Sequence, residues 1–189
     1  MIDLFFLDQS GFAPTLPTGY TWGRRGRRVV VPYEAPQGRR VNAVGAFAPY
    51  APTGPQLVFA TRRKTEGRYD AAAHLAFVRR VAGLPEDATA VAARTRPCVV
   101  ALDNYSVHHA AAVKAAVPAL AGAGVSFFYL PAYSPELNPI EPVWRQVKYQ
   151  DIPERSHSTD TALQTAVEAA LTARARRFAK PTTYLPRPA

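Results

Sequence analysis

Pro97-Cys98-Val99-Val100-Ala101-Leu102-Asp103-Asn104 opens the stretch that decides the fold, and Ser134-Pro135-Glu136-Leu137-Asn138-Pro139-Ile140-Glu141-Pro142-Val143-Trp144 closes it. The first run is apolar until it meets an acid, the pattern of a buried strand that ends at Asp103. The second is a proline-punctuated loop leading to a helix that begins near Pro139, with Glu141 in its first turn. Between them, His108 to Ala121 reads as a helix, bent or interrupted at Pro118 and closed near Gly122 or Gly124. Val125 to Leu130 reads as another apolar strand. Strand, helix, strand, helix in this order predicts parallel strands joined by a helical crossover.

Outward from this stretch, Ile2 to Leu7 is nearly all apolar and too short for a helix. It reads as a central strand, with Asp8 where the strand leaves the sheet. Short β-like runs at Tyr20-Thr21-Trp22 and at Arg27 to Val31 flank Gly23-Arg24-Arg25-Gly26, the pattern of a hairpin turn. Arg40 to Phe47 and Gln56 to Ala60 predict two more strands. Asp70 caps a helix with Leu75, Val78 and Ala82 on one face and Val81 beside it, stopped by Gly83 and Pro85. Thr159 or Asp160 caps a last helix with Leu163, Val167, Ala170 and Leu171 inward. Arg174, Arg176 and Arg177 lie at its C-terminal end, where cations suit the helix dipole. The expected fold class is therefore α/β, a mixed five-stranded sheet flanked by helices, in one domain over residues 1–180 with an extended tail at 181–189.

With 48% hydrophobic and 20% charged residues the chain is not a disordered polymer. The formal charge of +9 favours a polyanionic partner such as DNA or RNA, although charge alone fits a merely basic soluble protein equally. Arg24, Arg25, Arg27 and Arg28 crowd the hairpin beside Tyr20 and Trp22, a mixture suited to phosphates and unstacked bases. The same arginines would also serve to protect a sheet edge with charge. A single cysteine, Cys98, excludes a disulfide framework and a thiolate metal site. No signal peptide and no bilayer-spanning apolar run is visible, so a cytoplasmic location is expected.

Asp8 and Asp103 each close an apolar strand, and parallel neighbours would put them side by side. Between Asp103 and Glu141 lie 37 residues, enough for a helix, a strand and a loop that return to the same edge. Three carboxylates so gathered suit divalent cations, which activate an attacking oxygen and neutralise a leaving one in phosphodiester chemistry. Each acid also has a quieter reading. Asp8 fits a turn before Gly11, and Asp103-Asn104 fits a strand-ending turn. Glu141, with Asn138 as N-cap, fits a capping box or an ion pair with Arg145. The set, rather than any one acid, favours a metal site.

These residues resemble a known family. Phe6-Leu7-Asp8-Gln9-Ser10-Gly11-Phe12, Leu102-Asp103-Asn104 with His108, and the run from Ser134 to Trp144 are similar to the catalytic domain of IS630 transposases, the bacterial branch of the Tc1/mariner superfamily. Gly19-Tyr20-Thr21-Trp22 and Gly26 resemble that family's insert after the first strand. The resemblance implies an RNase H-like, retroviral-integrase-like fold and a DDE site. Asp8, Asp103 and Glu141 would then be catalytic and hold Mg²⁺ or Mn²⁺, as two ions. Asn104 and His108 would support the second acid, with local turn bonding and a helix-start histidine as their alternatives. Trp22, Arg24, Arg25, Arg27, Arg28, Arg145 and Lys148 are the expected DNA contacts.

The implied activity is strand cleavage followed by 3′-hydroxyl strand transfer on transposon ends and target DNA, by a homodimer or in association with a full-length transposase. Two departures stand out. Gln9 replaces an acid that many relatives carry, though that acid is not a core ligand. The family's N-terminal helix-turn-helix domain is absent ahead of the first strand, which suits a truncated chain. Two other readings remain: a catalytically silent remnant that binds only nucleic acid or full-length transposase, and another RNase H-like nuclease such as a ribonuclease H or junction resolvase.

Overall fold

A computed structural model describes residues 1–17, 23–35, 39–85 and 93–179. Five strands form one sheet: β1 (Asp3–Phe12), β2 (Val41–Ala48), β3 (Gln56–Arg63), β4 (Cys98–Leu102) and β5 (Val125–Tyr129). Their spatial order is β3-β2-β1-β4-β5. β1, β2 and β3 form an antiparallel meander, while β4 and β5 add in parallel to β1. The expected mixed sheet is thus present, with β1 at its centre.

β1 is longer than its apolar run predicts, so Asp8 lies within the strand and not at its end. The physical reason is that β1 has two neighbours with different reach. Its parallel pairing with β4 stops at Phe6–Ala101, whereas its antiparallel pairing with β2 continues through Asp8–Gly45 to Phe12–Val41. Asp8 therefore sits where one side of the strand is unpaired. Continuing the β1–β4 register by two residues brings it level with Asp103.

Helices cover both faces. α1 (Ala71–Val81) and α2 (Ala111–Gly122) pack on one, against Phe5, Leu7, Val44, Ala46, Val100 and Leu102. α3 (Glu141–Gln146) and α4 (Asp160–Phe178) pack on the other, against Phe12, Val41, Ala43 and Phe47. Asp70 caps α1 through the Ala73 N–H at 2.9 Å. Thr159 caps α4 through the Ala162 N–H at 3.1 Å. The buried face of α1 is His74, Phe77, Val78 and Val81, and Leu75 is only partly covered. Val78, Val81 and Ala82 of the expected face are buried, and the face extends to His74 and Phe77, which hydrophobic spacing did not include. Arg174, expected at the helix end for the dipole alone, is buried and bonded to Asp151, with its Nε at 2.9 Å from Oδ2. α2 contains Pro118 without ending there.

The expected hairpin is corrected in part. The Arg27 N–H donates to the Arg24 carbonyl at 2.9 Å, and Gly26 takes a positive φ of 76°, so the turn exists. Arg27 to Val31, however, form no strand. Val29 and Val30 are exposed. Tyr20 and Trp22 lie outside the described residues, as does the tail at 181–189. Among the described residues no helix is long and apolar enough to cross a membrane.

Candidate active site

Asp8, Asp103 and Glu141 line one cavity of about 410 Å³, together with Asn104, Tyr105, Asn138 and the loop from Leu130 to Pro135. A smaller adjoining cavity of about 220 Å³ shares Asp8, Asp103 and Tyr105 and adds Gln9 and His108. The three acids come from β1, from the end of β4 and from the first turn of α3. The sequence-nominated carboxylates therefore converge on one edge of the sheet.

Asp8 is set by α3. Trp144, almost wholly buried, donates its Nε1–H to Asp8 Oδ2 at 3.0 Å. The indole reaches this position because Gly45, the β2 partner of Asp8, has no side chain. A Cβ there would come within 2.7 Å of Trp144 Cη2 and 2.9 Å of Ile140 Cδ1. Burial is the main force on Asp8 and pushes its carboxyl up to about 6, with Glu141 and Asp103 adding repulsion. The Gln9 N–H and the Trp144 indole act in the opposite direction.

Asp103 is set from the other face. His108 lies on a 3₁₀ turn, Ser106–His109, ahead of α2 and not in the helix itself. Its buried Nδ1 lies 3.0 Å from both the carbonyl and Oδ1 of Asp103. This bond, more than any other cause, holds the Asp103 carboxyl below the usual range. Asp103 Oδ1 also accepts the Tyr105 N–H at 3.2 Å, so the strand-ending turn forms in a side chain that also lines the cavity. Asn104 does not bond within its own turn. Its Nδ2 donates to the Leu130 carbonyl at 2.9 Å and fixes the loop after β5 to the strand bearing Asp103.

The capping-box reading of Glu141 is corrected. Ile140, not Asn138, is the N-cap, and Glu141 is the first helical residue. Asn138 instead receives the Glu141 N–H on its carbonyl at 3.0 Å. Neither a hydrogen bond nor an ion pair to Arg145 occupies the Glu141 carboxylate among the described residues, and Glu141 is exposed toward the cavity it lines. Arg145 is exposed on α3. Lys148, in a π-helical turn at Val147–Asp151, is half-buried with its ammonium 5.3 Å from the Phe12 ring centroid. Burial lowers its pKa, while Glu141 and Asp8 favour its charge. Arg24, Arg25, Arg27 and Arg28 are exposed and line neither acid cavity.

The donor set suits a hard divalent cation, since carboxylates with room for water are what Mg²⁺ selects. Among the described residues no three His, Cys, Asp or Glu side chains lie close enough together to hold a metal ion as they stand. Asn138 Oδ1, buried beside the same cavity without a partner, is available to accept from a hydrating water.

Four contributors escaped the sequence reading. Trp144 was legible as core but not as a donor to Asp8, and Gly45 carried no motif. His74 stacks on His108 with centroids 4.7 Å apart, and its Nδ1 lies 3.3 Å from the Tyr69 hydroxyl. Burial, and secondarily His108, lower the His74 pKa to about 3, keeping the ring neutral behind the Asp103 support. Asn138 was visible only as a cap. A histidine on an apolar helix face was the one sequence signal among these.

A sheet of order 3-2-1-4-5 with carboxylates at the edge where β1 and β4 part places the molecule in the RNase H-like class. The chain belongs to the DDE superfamily endonucleases, whose family pattern matches residues 3–164. Its fold is similar to three solved Mos1 structures. They are the Mos1 strand transfer complex (TM-score 0.59, 14% identity, 94% of this chain and 49% of that one), the Mos1 transposase paired-end complex with left transposon end (0.60, 12%, 94% and 50%) and the Mos1 mariner paired end complex with Mn (0.58, 13%, 94% and 50%). The chain thus spans about half the length of the solved chains it matches. No curated protein matches it.

Proposed function

We propose that this chain is the catalytic domain of an insertion-sequence transposase of the IS630 branch of the Tc1/mariner superfamily, acting on DNA. The observation that carries the reading is the lining of one cavity by Asp8, Asp103 and Glu141, each from a different element. Similarity of fold to transposases solved with transposon ends, and in one case with Mn, supports it. Asp8, Asp103 and Glu141 hold the divalent cations, Mg²⁺ or Mn²⁺ and two in number. Bound there, the cations neutralise phosphoryl oxygens and acidify an attacking water.

The chain's own residues prepare that site. His108 keeps Asp103 ionised, so this carboxylate is ready at neutral pH. Trp144 fixes the Asp8 carboxylate in orientation, while burial pushes its carboxyl up to about 6. Glu141, unencumbered by a cap or an ion pair, is free to turn toward a ligand. In the first reaction, water adds to the scissile phosphorus and the bond to the 3′-oxygen breaks, leaving a 3′-hydroxyl and a 5′-phosphate. In the second, that 3′-hydroxyl loses its proton, bonds to a target phosphorus and displaces a target 3′-oxygen. The exposed Arg24, Arg25, Arg27 and Arg28, with Arg145, contact DNA phosphates. A homodimer, or association with a full-length transposase, would bring two ends together, and the setting is the bacterial cytoplasm.

The direct test is nicking of supercoiled plasmid in Mg²⁺ or Mn²⁺ by the purified chain. Metal-dependent nicking that disappears in Asp103→Ala is the expected result. Equal nicking by wild type and Asp103→Ala, or none by either, contradicts the reading.

A further inference from the structure

Tyr133 has a φ of 57°, the one positive value at a non-glycine residue among the described residues. An L side chain is strained in this region, and glycine is not. Its side chain gains nothing from packing in return, because Tyr133 is exposed to the full extent (102%). A ring kept in a strained backbone without packing contacts points to a use outside the protein.

Its surroundings say what that use is. Tyr133 lines the same cavity as Asp8, Asp103 and Glu141. The base of its loop is fixed: the Leu130 N–H donates to the Leu102 carbonyl at 2.8 Å and Asn104 Nδ2 to the Leu130 carbonyl at 2.9 Å. Tyr105 lines the cavity too. It sets one edge against His108 with centroids 6.1 Å apart, yet remains 53% exposed. Among the described residues no lysine or arginine lines this cavity. The rim therefore offers aromatic faces and no cationic side chain.

We propose that Tyr133, aided by Tyr105, is a stacking site for an unpaired nucleobase next to the phosphate that enters the acid cavity. This rests on the DNA-cleaving reading above. A phosphate drawn into a concave site takes its neighbouring base out of the duplex stack, and a displayed tyrosine replaces the lost stacking face. Stacking tolerates any base, because all have a π face. The loop gives up backbone ease to hold the ring beside the chemistry.

The test compares wild type, Tyr133→Gly and Tyr133→Phe. Glycine suits the positive φ, so Tyr133→Gly removes the ring without breaking the turn. Fluorescence anisotropy measures binding of a labelled short oligothymidylate and of an abasic strand of equal length. Wild type and Tyr133→Phe are expected to prefer the base-bearing strand by about tenfold. Tyr133→Gly is expected to lose that preference while its thermal midpoint stays level or rises. Equal binding of the two strands by wild type, or an intact preference in Tyr133→Gly, overturns the stacking site and leaves the DNA reading standing. Failure of wild type to bind either strand removes both.

Discussion

Asp8 in β1 and Asp103 just past the end of β4 fall level in the register of these parallel strands, yet their surroundings shift them in opposite directions. Asp103 is 48% exposed, bonded by His108 from the α1–α2 face, and its proton is released early. Asp8 is more deeply placed and bonded by Trp144 from the α3–α4 face, and burial pushes its carboxyl up to about 6. One carboxyl is shifted toward losing its proton and the other toward keeping it, so the two bear full charge together only above about pH 6. Each is steered by a different layer, so the site depends on both helical faces remaining docked on one sheet.

The largest expected effect comes from removing either acid or the third. Alanine at Asp8, Asp103 or Glu141 should lower metal-dependent nicking by about 1000-fold or more, since several kcal/mol of charge stabilisation disappear with the carboxylate. A variant within tenfold of wild type would remove that acid from the site. Next is the support of Asp8 alone. Trp144→Phe keeps a ring in the core but removes the N–H, and outer-shell losses of this kind cost about 10–100-fold in metal affinity. Gly45→Ala should reproduce it by displacing the indole, with about 1–3 kcal/mol of overpacking visible in denaturant unfolding. Unchanged Mn²⁺ affinity in both variants would show that Asp8 needs no help from α3.

A third expectation separates the acids by pH. Asp8 has a folded pKa above its unfolded value, so its contribution to stability is fully present below about pH 4 and is lost as pH rises through about 6. Asp8→Asn, which retains an acceptor for the indole, should therefore match wild type in strong acid. Near pH 8 without metal it should be more stable by on the order of 2 kcal/mol. Asp103, with its depressed pKa, should behave oppositely: what it contributes is present above the unfolded value and lost as pH falls through the folded one. Thermal melts across pH would show the two trends; parallel trends would erase the contrast. The smallest effect is remote from the pair. Replacing Arg24, Arg25, Arg27 and Arg28 by alanine should shallow the salt dependence of DNA binding by about 0.9 for each phosphate no longer neutralised, with the metal affinity unchanged. An unaltered salt slope would take these arginines off the DNA path.

The parts legible in the sequence were those that apolar runs and caps encode. Five strands, the Asp70 and Thr159 caps and the inward face at Ile140, Val143, Trp144 and Val147 needed only period and composition. Asp8 and Asp103 were legible because each follows an apolar run, and Glu141 because it opens a helix after a proline-punctuated loop. What eluded the sequence depended on partners distant in the chain. The extension of β1 past Asp8 depends on β2, and the indole bond to Asp8 spans 136 residues. α3 starts at Glu141 instead of near Pro139, after the 3₁₀ turn Pro135–Leu137 and with Ile140 as its N-cap. The arginine-rich segment matched a hairpin pattern locally, but only its turn forms: Arg27 to Val31 are not a strand, and Val29 and Val30 are exposed. The role of His74 depends on His108, whose ring lies 4.7 Å away and 34 positions along the chain.

The central claim is that three carboxylates from three elements act as one divalent-cation site. The most direct measurement is a Mn²⁺ titration of the purified chain followed by electron paramagnetic resonance, repeated on Asp8→Asn, Asp103→Asn and Glu141→Gln. Saturable binding by wild type, weakened at least tenfold by each single substitution, is the predicted result. Wild-type binding that all three substitutions leave intact would contradict it.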